Sequence, residues 1–166
     1  MQNHYNYVFD NITNTYNFVT RNSILYRVAF VVDETFSAIS GETIPNMFQL
    51  VVEKATETVE SYDAKVSKTI EDIVGKFFQT VENSLIYICS DDDKKSKLRH
   101  DIFDRWYKNS PYHHAIIKLD NIISFNLGDQ ETQKLYTSMM FHRDNSNSKK
   151  IIHIYTQISS ALLDEK

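Results

Sequence analysis

Three consecutive aspartates followed by basic residues give residues 91–99 the clearest potential for chemistry in this sequence. The aspartates come directly after an apolar run that reads as a strand, and carboxylates at the carboxyl end of a strand are well placed to face a ligand crevice. Asp91 and Asp93 offer the oxygen ligands that Mg²⁺ prefers, and Lys94 or Arg99 could meet a phosphate group. One hypothesis is therefore a metal-dependent enzyme or sensor for a nucleotide or another small phosphorylated ligand.

The same aspartates also fit a purely structural interpretation. Aspartate at a helix N-terminus or in its first turn is stabilised by unpaired backbone N–H groups and by the helix dipole. A divalent metal site usually needs further acidic ligands, and Asp120, Asp129 and Asp144 are candidates by residue type alone. We therefore favour helix capping, with no cofactor expected and Mg²⁺ as the alternative.

The segment after the aspartates, residues 94–108, is typical of a helix with a basic surface. In a chain of net negative charge, such a patch can attract an acidic partner protein, a phosphate or a second copy of the chain. The alternative is a solvated helix face, in which pairs such as Lys97–Asp101 and Asp104–Lys108 stabilise the helix at i,i+4 spacing. The candidate binding residues of this segment are Lys94, Lys95, Arg99 and Arg105.

The composition limits the class of protein. With 166 residues, of which 42% are hydrophobic, the chain is expected to form one globular domain spanning residues 1–166. The net charge of −4 argues against a general nucleic-acid-binding protein. The single cysteine, Cys89, can form no internal disulfide, and no apolar run has the length of a membrane span or the pattern of a signal segment. We expect a cytoplasmic protein without a membrane partner.

Hydrophobic periodicity predicts the order of the secondary-structure elements. In the first third, aromatic or β-branched residues alternate with polar ones, which indicates an antiparallel meander of strands at 4–9, 15–20, 24–33 and 46–55. A helix at 63–81 follows, then a strand at 85–90, a helix at 94–108, strands at 113–127 and 133–143, and a C-terminal helix from residue 151. Because residues 151–163 are rich in β-branched side chains, a strand is the alternative there.

This order, ββββ-α-β-α-ββ-α, predicts an α/β (α+β) fold. The strand–helix–strand arrangement in the middle suggests a parallel crossover, so we expect a mixed, largely antiparallel sheet with helices packed on its faces. Trp106 lies at helical spacing from Ile102 and Phe103 and is expected in the core. His113 and His114 are adjacent on a predicted strand and are expected to point to opposite faces.

The sequence shows no catalytic constellation. It contains no G-x-S-x-G, H-E-x-x-H or Gly-rich phosphate-binding motif. We therefore predict no catalytic residues. The leading hypothesis is a non-catalytic binding or interaction module that contacts a partner protein or associates with itself.

Three stretches together resemble a known family: the strand pattern YNYVF…TYNFVT…YRVAF, the helix SYDAKVSKTIEDIVGKFF and the run IYICSDDDKKSKLRHDIFDRWY. They are similar to a small bacterial family that is known only as a domain of unknown function. The resemblance would cover nearly the whole chain. It implies a bacterial, cytosolic protein, and it brings no activity or ligand with it.

The element order also resembles the later part of acetyltransferases of the GCN5-related type. That family binds acyl-CoA with a Gly-rich turn at a helix start. The corresponding stretch here, ESYDAKVSKT, has no glycine and carries Asp63, which would repel a pyrophosphate. This resemblance implies, as a third hypothesis, an acetyltransferase-like protein that lacks the acyl-CoA loop.

Overall fold

A seven-stranded mixed sheet organises the chain. The structure, a computed structural model, describes residues 1–89, 95–126 and 132–164. The strands are β1 (Tyr7–Asp10), β2 (Thr15–Val19), β3 (Leu25–Val32), β4 (Met47–Lys54), β5 (Ser84–Cys89), β6 (Ile116–Asn126) and β7 (Thr132–His142). The helices are α1 (Thr35–Ser40), α2 (Ala64–Phe77), α3 (Ser96–Asn109) and α4 (Ser148–Asp164). In space the strands run in the order β1-β2-β3-β4-β5-β7-β6, so the predicted α+β fold and mixed sheet are confirmed.

The first four strands form the predicted antiparallel meander. The two-residue period places Phe18, Val28 and Leu50 on the face that α2 covers. The β1–β2 turn depends on Asp10, whose carboxylate accepts a hydrogen bond from the backbone N–H of Ile12 at 2.8 Å. Local turn chemistry and side-chain alternation therefore define these strands.

A short helix, α1, interrupts the meander between β3 and β4 and is missing from the sequence prediction. Asp33, the residue before the N-cap, stabilises the start of this helix. One of its carboxylate oxygens accepts a hydrogen bond from the Phe36 N–H at 2.8 Å, and the other accepts one from the Gln49 side-chain amide at 2.6 Å. Phe36 is the buried anchor of the helix, and Gly41 ends it in the left-handed conformation, with a φ of 68°. So short a helix produces no hydrophobic period, and the sequence pattern therefore missed it.

The predicted parallel crossover lies between β4 and β5. The two strands pair at three positions, where Met47–Gln49 lies beside Ser84–Ile86. Helix α2 makes the connection and buries Ile70, Ile73 and Val74 against the sheet. This short parallel contact joins the meander to the antiparallel strands that follow it.

The second half of the sheet is antiparallel: β5 pairs with β7, and β7 pairs with β6. Helix α3 connects β5 to β6. Strand β6 begins at Ile116, so the predicted start at His113 is wrong. The chain turns from Ser110 to Ala115, and the ring centroids of His113 and His114 lie 3.7 Å apart, so these histidines do not point to opposite faces of a strand.

The end of α2 also differs from the prediction. The helix stops at Phe77 and not at Val81. The side-chain amide of Asn83 donates a hydrogen bond to the Phe77 carbonyl at 2.9 Å, which satisfies a carbonyl group that the helix leaves unpaired. The apolar stripe continues past the helix end because Phe78 still packs in the core.

Helices on the two faces of the sheet bury two hydrophobic cores. The first core lies under α2 and α3 and spans the whole width of the sheet. The second core lies under α1 and α4 and covers β5, β7 and β6, with Ile151, Ile154 and Tyr155 confirming the predicted C-terminal helix. None of the described helices is both long and apolar enough to cross a membrane.

Replacing Ile73 with alanine tests the first core. The Ile73 side chain is fully buried, so Ile73→Ala should lower the free energy of unfolding by about 2–5 kcal/mol through lost burial and a cavity. The matched control is Ile12→Ala at a side chain that is 93% exposed, which should change it by less than about 0.5 kcal/mol. Urea denaturation followed by circular dichroism measures both, and equal losses would contradict the packing of α2.

Candidate functional site

A cleft of about 410 Å³ opens where β4 and β5 separate. Strand β4 continues to Lys54, past Gln49, its last residue paired with β5. The carboxyl ends of the two parallel strands meet here, which is where open α/β sheets bind ligands. The helices on this face complete the walls. Helix α2 contributes Val66, Ser67 and Ile70, and helix α3 contributes Arg99, Ile102, Phe103 and Trp106.

The lining of the cleft is mainly apolar and aromatic, and its volume is typical of small-molecule sites. Trp106 was expected in the core and is only partly buried. Its ring centroid lies 6.5 Å from that of Phe103, and it also lines the cleft. The sequence placed Trp106 on the inward face of α3 correctly, but the pattern could not show that this face is shared between core and cleft.

One wall of the cleft carries Asp63, which is the N-cap residue of α2. Its Oδ1 accepts the Lys65 N–H at 2.9 Å, and its Oδ2 accepts the Tyr5 hydroxyl at 2.6 Å. The hydrogen bond from Tyr5 holds the pKa of Asp63 below its usual range. Asp63 therefore stays ionised at neutral pH and ties α2 to the chain segment that precedes β1.

Glu60 lies on the same wall. The Tyr26 hydroxyl donates to its Oε2 at 3.0 Å, and burial together with this hydrogen bond raises the pKa of Tyr26 to about 12. The other oxygen, Oε1, is buried and accepts no hydrogen bond from the described residues. Lys54, also on this wall, donates to the carbonyl oxygen of Thr58. The lining residues of this side therefore carry two carboxylates and one ammonium group, and further cations beside them act on the Asp63 carboxylate.

The opposite wall carries Arg99, in the first turn of α3. Its charge acts on the Tyr87 hydroxyl and the Cys89 thiol at the end of β5. Burial raises the pKa of both groups, and the nearby guanidinium partly offsets that rise. Arg99 therefore adds a guanidinium group to the lining of the cleft on its β5 side.

The structure places two of the described binding candidates, Arg99 and Arg105, on different sides of α3. Asp91, Asp93 and Lys94 lie outside the described residues, so the metal and phosphate hypothesis stays a prediction. Lys95 is exposed at the start of α3, and Arg105 is exposed on its outer surface. Arg99 lines the cleft, about 120° around the helix from Arg105. Of the described candidates, only Arg99 lines the cleft.

The start of α3 corrects the capping interpretation. Its N-cap is Lys95, which makes no side-chain capping hydrogen bond, and its first turn contains no acidic residue. The aspartates of residues 91–93 therefore precede the cap position. Elsewhere, no group of three or more His, Cys, Asp or Glu side chains in the described ranges is placed to hold a metal ion.

Ion pairs neutralise much of the exposed charge of α3. The Nζ atom of Lys97 lies 2.6 Å from Asp101 Oδ2, and the Nζ atom of Lys108 lies 2.7 Å from Asp104 Oδ2, as the i,i+4 spacing predicted. Leu98, an apolar residue of the same helix, is 58% exposed. The outer face of α3 is therefore mainly a solvated, charge-paired surface.

An ionic cluster around the buried Lys118 side chain connects α3 to the sheet, and no sequence pattern pointed to it. The Lys118 side chain is only 2% exposed; its Nζ lies 3.1 Å from Asp104 Oδ1 and also contacts Asp120 Oδ1. Ser138 donates to the same Asp120 oxygen at 2.7 Å. Burial raises the pKa of Asp104, but hydrogen bonds from Lys108 and Lys118 outweigh it and hold the pKa below its usual range. The sequence signal that could have revealed this cluster is the spacing of Lys118 and Asp120, which are two residues apart on β6 and therefore lie on the same face of the sheet.

The fold and the cleft together define a mixed α+β protein with a small-molecule-sized cleft at its parallel crossover. The chain belongs to DUF6169, a family of unknown function, whose profile matches residues 62–157. The predicted resemblance to a family of unknown function is thus confirmed, although the aromatic strand pattern of residues 5–30 lies outside the matched residues. No curated protein and no solved structure matches the chain.

The resemblance to GCN5-related acetyltransferases is unconfirmed. The N-terminus of α2 is already satisfied by Asp63, which accepts the Lys65 N–H through its side chain and the Val66 N–H through its carbonyl oxygen at 3.1 Å. A pyrophosphate at this helix would need these amide groups and would meet the Asp63 carboxylate. The geometry of this helix start therefore disfavours acyl-CoA.

Replacing Tyr5 with phenylalanine tests the hydrogen bond between the Tyr5 hydroxyl and the Asp63 carboxylate. A lowered folded-state pKa stabilises the fold above the unfolded pKa of an aspartate, and this stabilisation is lost as pH falls through the folded value. Tyr5→Phe should therefore cost about 1 kcal/mol of unfolding free energy at neutral pH, a value limited by solvent screening, and less below pH ~4. Urea denaturation as a function of pH measures this difference.

The matched control is Tyr62→Phe, the same change at a neighbouring side chain that is 78% exposed. It should leave the pH dependence unchanged. A Tyr5→Phe cost that stays constant down to acidic pH would show that Tyr5 does not act through the Asp63 carboxylate.

Proposed function

We propose that this protein is a non-catalytic binding module that holds a small molecule with an apolar body in the cleft between β4 and β5. The observation that carries the proposal is the separation of two parallel strands over an apolar cleft of about 410 Å³ at their carboxyl ends. In a sheet of this kind, neighbouring strands normally stay paired at about 4.8 Å, and an opening at the crossover is the usual position of a ligand.

The side chains of the cleft support binding of an apolar group. Leu50, Val52 and Ile102 provide aliphatic surface, and Phe103 and Trp106 provide aromatic surface. Removing such surface from water contributes about 25 cal/mol for each Å² that a ligand covers. The described polar groups at the rim are engaged in contacts that hold the walls, as in the Asp63–Tyr5 and Glu60–Tyr26 hydrogen bonds.

The single tryptophan allows ligand binding in the cleft to be measured by fluorescence. Trp106 lines the cleft, so its emission should be quenched by energy transfer when the neutral apolar dye N-phenylnaphthylamine binds. Val52→Phe places a larger side chain in the cleft and should weaken dye binding by about tenfold or more, which is about 1.4 kcal/mol. Fluorescence titration measures the affinity of each variant.

The matched control is Val51→Phe, the same change at the neighbouring residue of β4, whose side chain lies on the opposite face of the sheet and is exposed. It should bind the dye as the wild type does. Absence of energy transfer in the wild type, or equal weakening by both variants, would refute binding in the cleft.

A second candidate function, self-association, is favoured by an exposed surface that we call the open face. It is the surface of β1–β4 opposite α2, which neither α1 nor α4 covers. Arg27 and Glu53 form an ion pair there with an N–O distance of 3.4 Å. A two-fold axis would place Arg27 of one copy against Glu53 of the partner subunit, with apolar surface around them. The exposed apolar side chains of the open face are Val8, Val19, Val31 and Val51.

Replacing Val31 with lysine tests self-association. If a second copy covers the open face, the wild type should sediment as a dimer, and Val31→Lys should shift it to monomer because a charge would be buried in the interface. The matched control, Val59→Lys, makes the same change in the β4–α2 connection and should remain dimeric. Sedimentation velocity over a range of concentrations measures this, and a monomeric wild type throughout would refute the hypothesis.

A further inference from the structure

Strand β6 forms one edge of the sheet and is long for an edge strand. It spans eleven residues, whereas β1 at the other edge spans four. Its pairing with β7 runs in one continuous register from Ile116–His142 to Asn126–Thr132, so β6 contains no bulge, and its sequence contains neither proline nor glycine. Short length, bulges and proline are common means by which edge strands avoid pairing with other chains, and β6 uses none of these three.

The backbone groups of alternate β6 residues point away from β7. The Arg143 N–H donates to the Ala115 carbonyl at 2.9 Å, which places the bonds to β7 on the odd-numbered residues. Ile116 agrees with this alternation, because its N–H donates to the Tyr112 carbonyl at 3.1 Å and its carbonyl accepts the Tyr107 hydroxyl at 2.6 Å. The even-numbered residues therefore direct their N–H and C=O groups to the outer edge of β6, the side away from β7.

The outer edge is open beyond Ile116. The backbone N–H and C=O groups of Lys118, Asp120 and Ile122 make no hydrogen bond along this edge with any residue that the structure describes. The Ile122 side chain is 53% exposed beside them. Lys118 presents no exposed charge to an approaching strand, because its side chain is only 2% exposed and its Nζ contacts Asp104 and Asp120. The edge thus offers unpaired donors and acceptors together with an exposed apolar side chain.

The two ends of β6 determine how a second copy can pair with this edge. Tyr107 and Tyr112 occupy the edge beside Ile116, so an antiparallel strand of a partner subunit can pair only from Lys118 onward. Strand β6 ends at Asn126. The register that uses the whole remaining edge therefore places Asn126 of the partner subunit opposite Lys118.

This register is self-complementary. Its two-fold axis lies at Ile122, midway between residues 118 and 126, so the exposed Ile122 side chains of the two copies meet at the axis. Even-numbered residues lie opposite even-numbered residues, so their outward backbone groups can bond to each other in pairs. Asp120 lies opposite Ser124 of the partner subunit, and no two like charges face each other across the axis.

We propose that β6 is a dimerisation edge, at which residues 118–126 of two copies pair antiparallel about a two-fold axis at Ile122 and join the two sheets into one. This is strand addition of the kind by which sheet edges recognise extended chains, with a second copy of the protein as the added strand. The surface is separate from the cleft and from the open face, so the inference depends on neither.

Replacing Ile122 with proline tests the proposal. Because the Ile122 N–H points away from β7, proline removes a hydrogen bond of the dimer and none of the β6–β7 ladder. We expect the wild type to dimerise and Ile122→Pro to raise the dimer dissociation constant at least about tenfold. The matched control, Ile122→Thr, keeps the N–H and the β-branched shape and should remain dimeric. Sedimentation velocity over a range of concentrations measures the dissociation constants, and circular dichroism checks the fold of each variant.

Replacing Ile122 with cysteine tests the register without the proline variant. Opposite residues of a hydrogen-bonded pair have Cα atoms about 5.5 Å apart, which a disulfide can span, so mild oxidation of Ile122→Cys should give a covalent dimer. The matched control is Asn121→Cys, whose two copies would lie about 8 Å apart across the axis and should give none. The native Cys89 is buried, so the wild type should also give none.

The outcomes separate this edge from the open face. Val31→Lys should leave the edge dimer intact. A wild type that is monomeric at all concentrations, or a dimer that Val31→Lys dissociates and a folded Ile122→Pro does not, would overturn the proposal. Failure of Ile122→Cys to cross-link, or equal cross-linking of Asn121→Cys, would also overturn it.

Discussion

The parallel contact between β4 and β5 is the constraint on which the rest of the structure depends. It joins an antiparallel meander to a second antiparallel unit through three paired positions, Met47–Gln49 with Ser84–Ile86. Pairing over the full length of both strands would fill the sheet and leave no gap between them. Because pairing stops after three positions, the carboxyl ends of β4 and β5 separate. Helices α2 and α3 then line the sides of the opening between the two strands. The position of the cleft is thus a direct result of where the pairing between β4 and β5 ends.

The walls of this opening are held by different physical means. The β3 side depends on tyrosine hydroxyls that donate to carboxylates, which fixes the β4–α2 connection without tight packing. The β5 side depends on α3, which the buried Lys118 ties to the sheet through Asp104 and Asp120. Because the Lys118 ammonium group is buried, removal of its carboxylate partners would leave a buried charge unpaired, and this cost favours the observed position of α3. The geometry of both walls is set by polar contacts, while apolar packing stabilises the fold beneath them.

The sequence predicts the fold better than it predicts the site. Alternation in β1–β4 and the helical spacing of Ile70, Ile73 and Val74 are local patterns, and they led to the correct element order. The pattern failed where a single contact determines the local structure. Helix α1 was missed because it depends on Asp33 and one buried aromatic residue. At His113, a turn replaces the predicted strand. Of the described binding candidates, only Arg99 lines the cleft, and it became a candidate because of its charge. Glu60 was missed because its importance comes from Tyr26, which is distant in sequence and adjacent only in the sheet.

The order of strands also has a consequence for the route by which the chain folds. The β1–β3 hairpins and the β6–β7 hairpin bring together residues that are close in sequence, so they close small loops at low entropic cost. The β4–β5 contact joins residues separated by the whole β4–α2 connection and the helix itself, and non-local parallel pairing is slow to form. The β5–β7 pairing is more distant still, since Leu85 pairs with Met140 while Met47 pairs with Ser84. We therefore expect the β1–β4 meander and the β6–β7 hairpin to form first, and β5 to join both of them late.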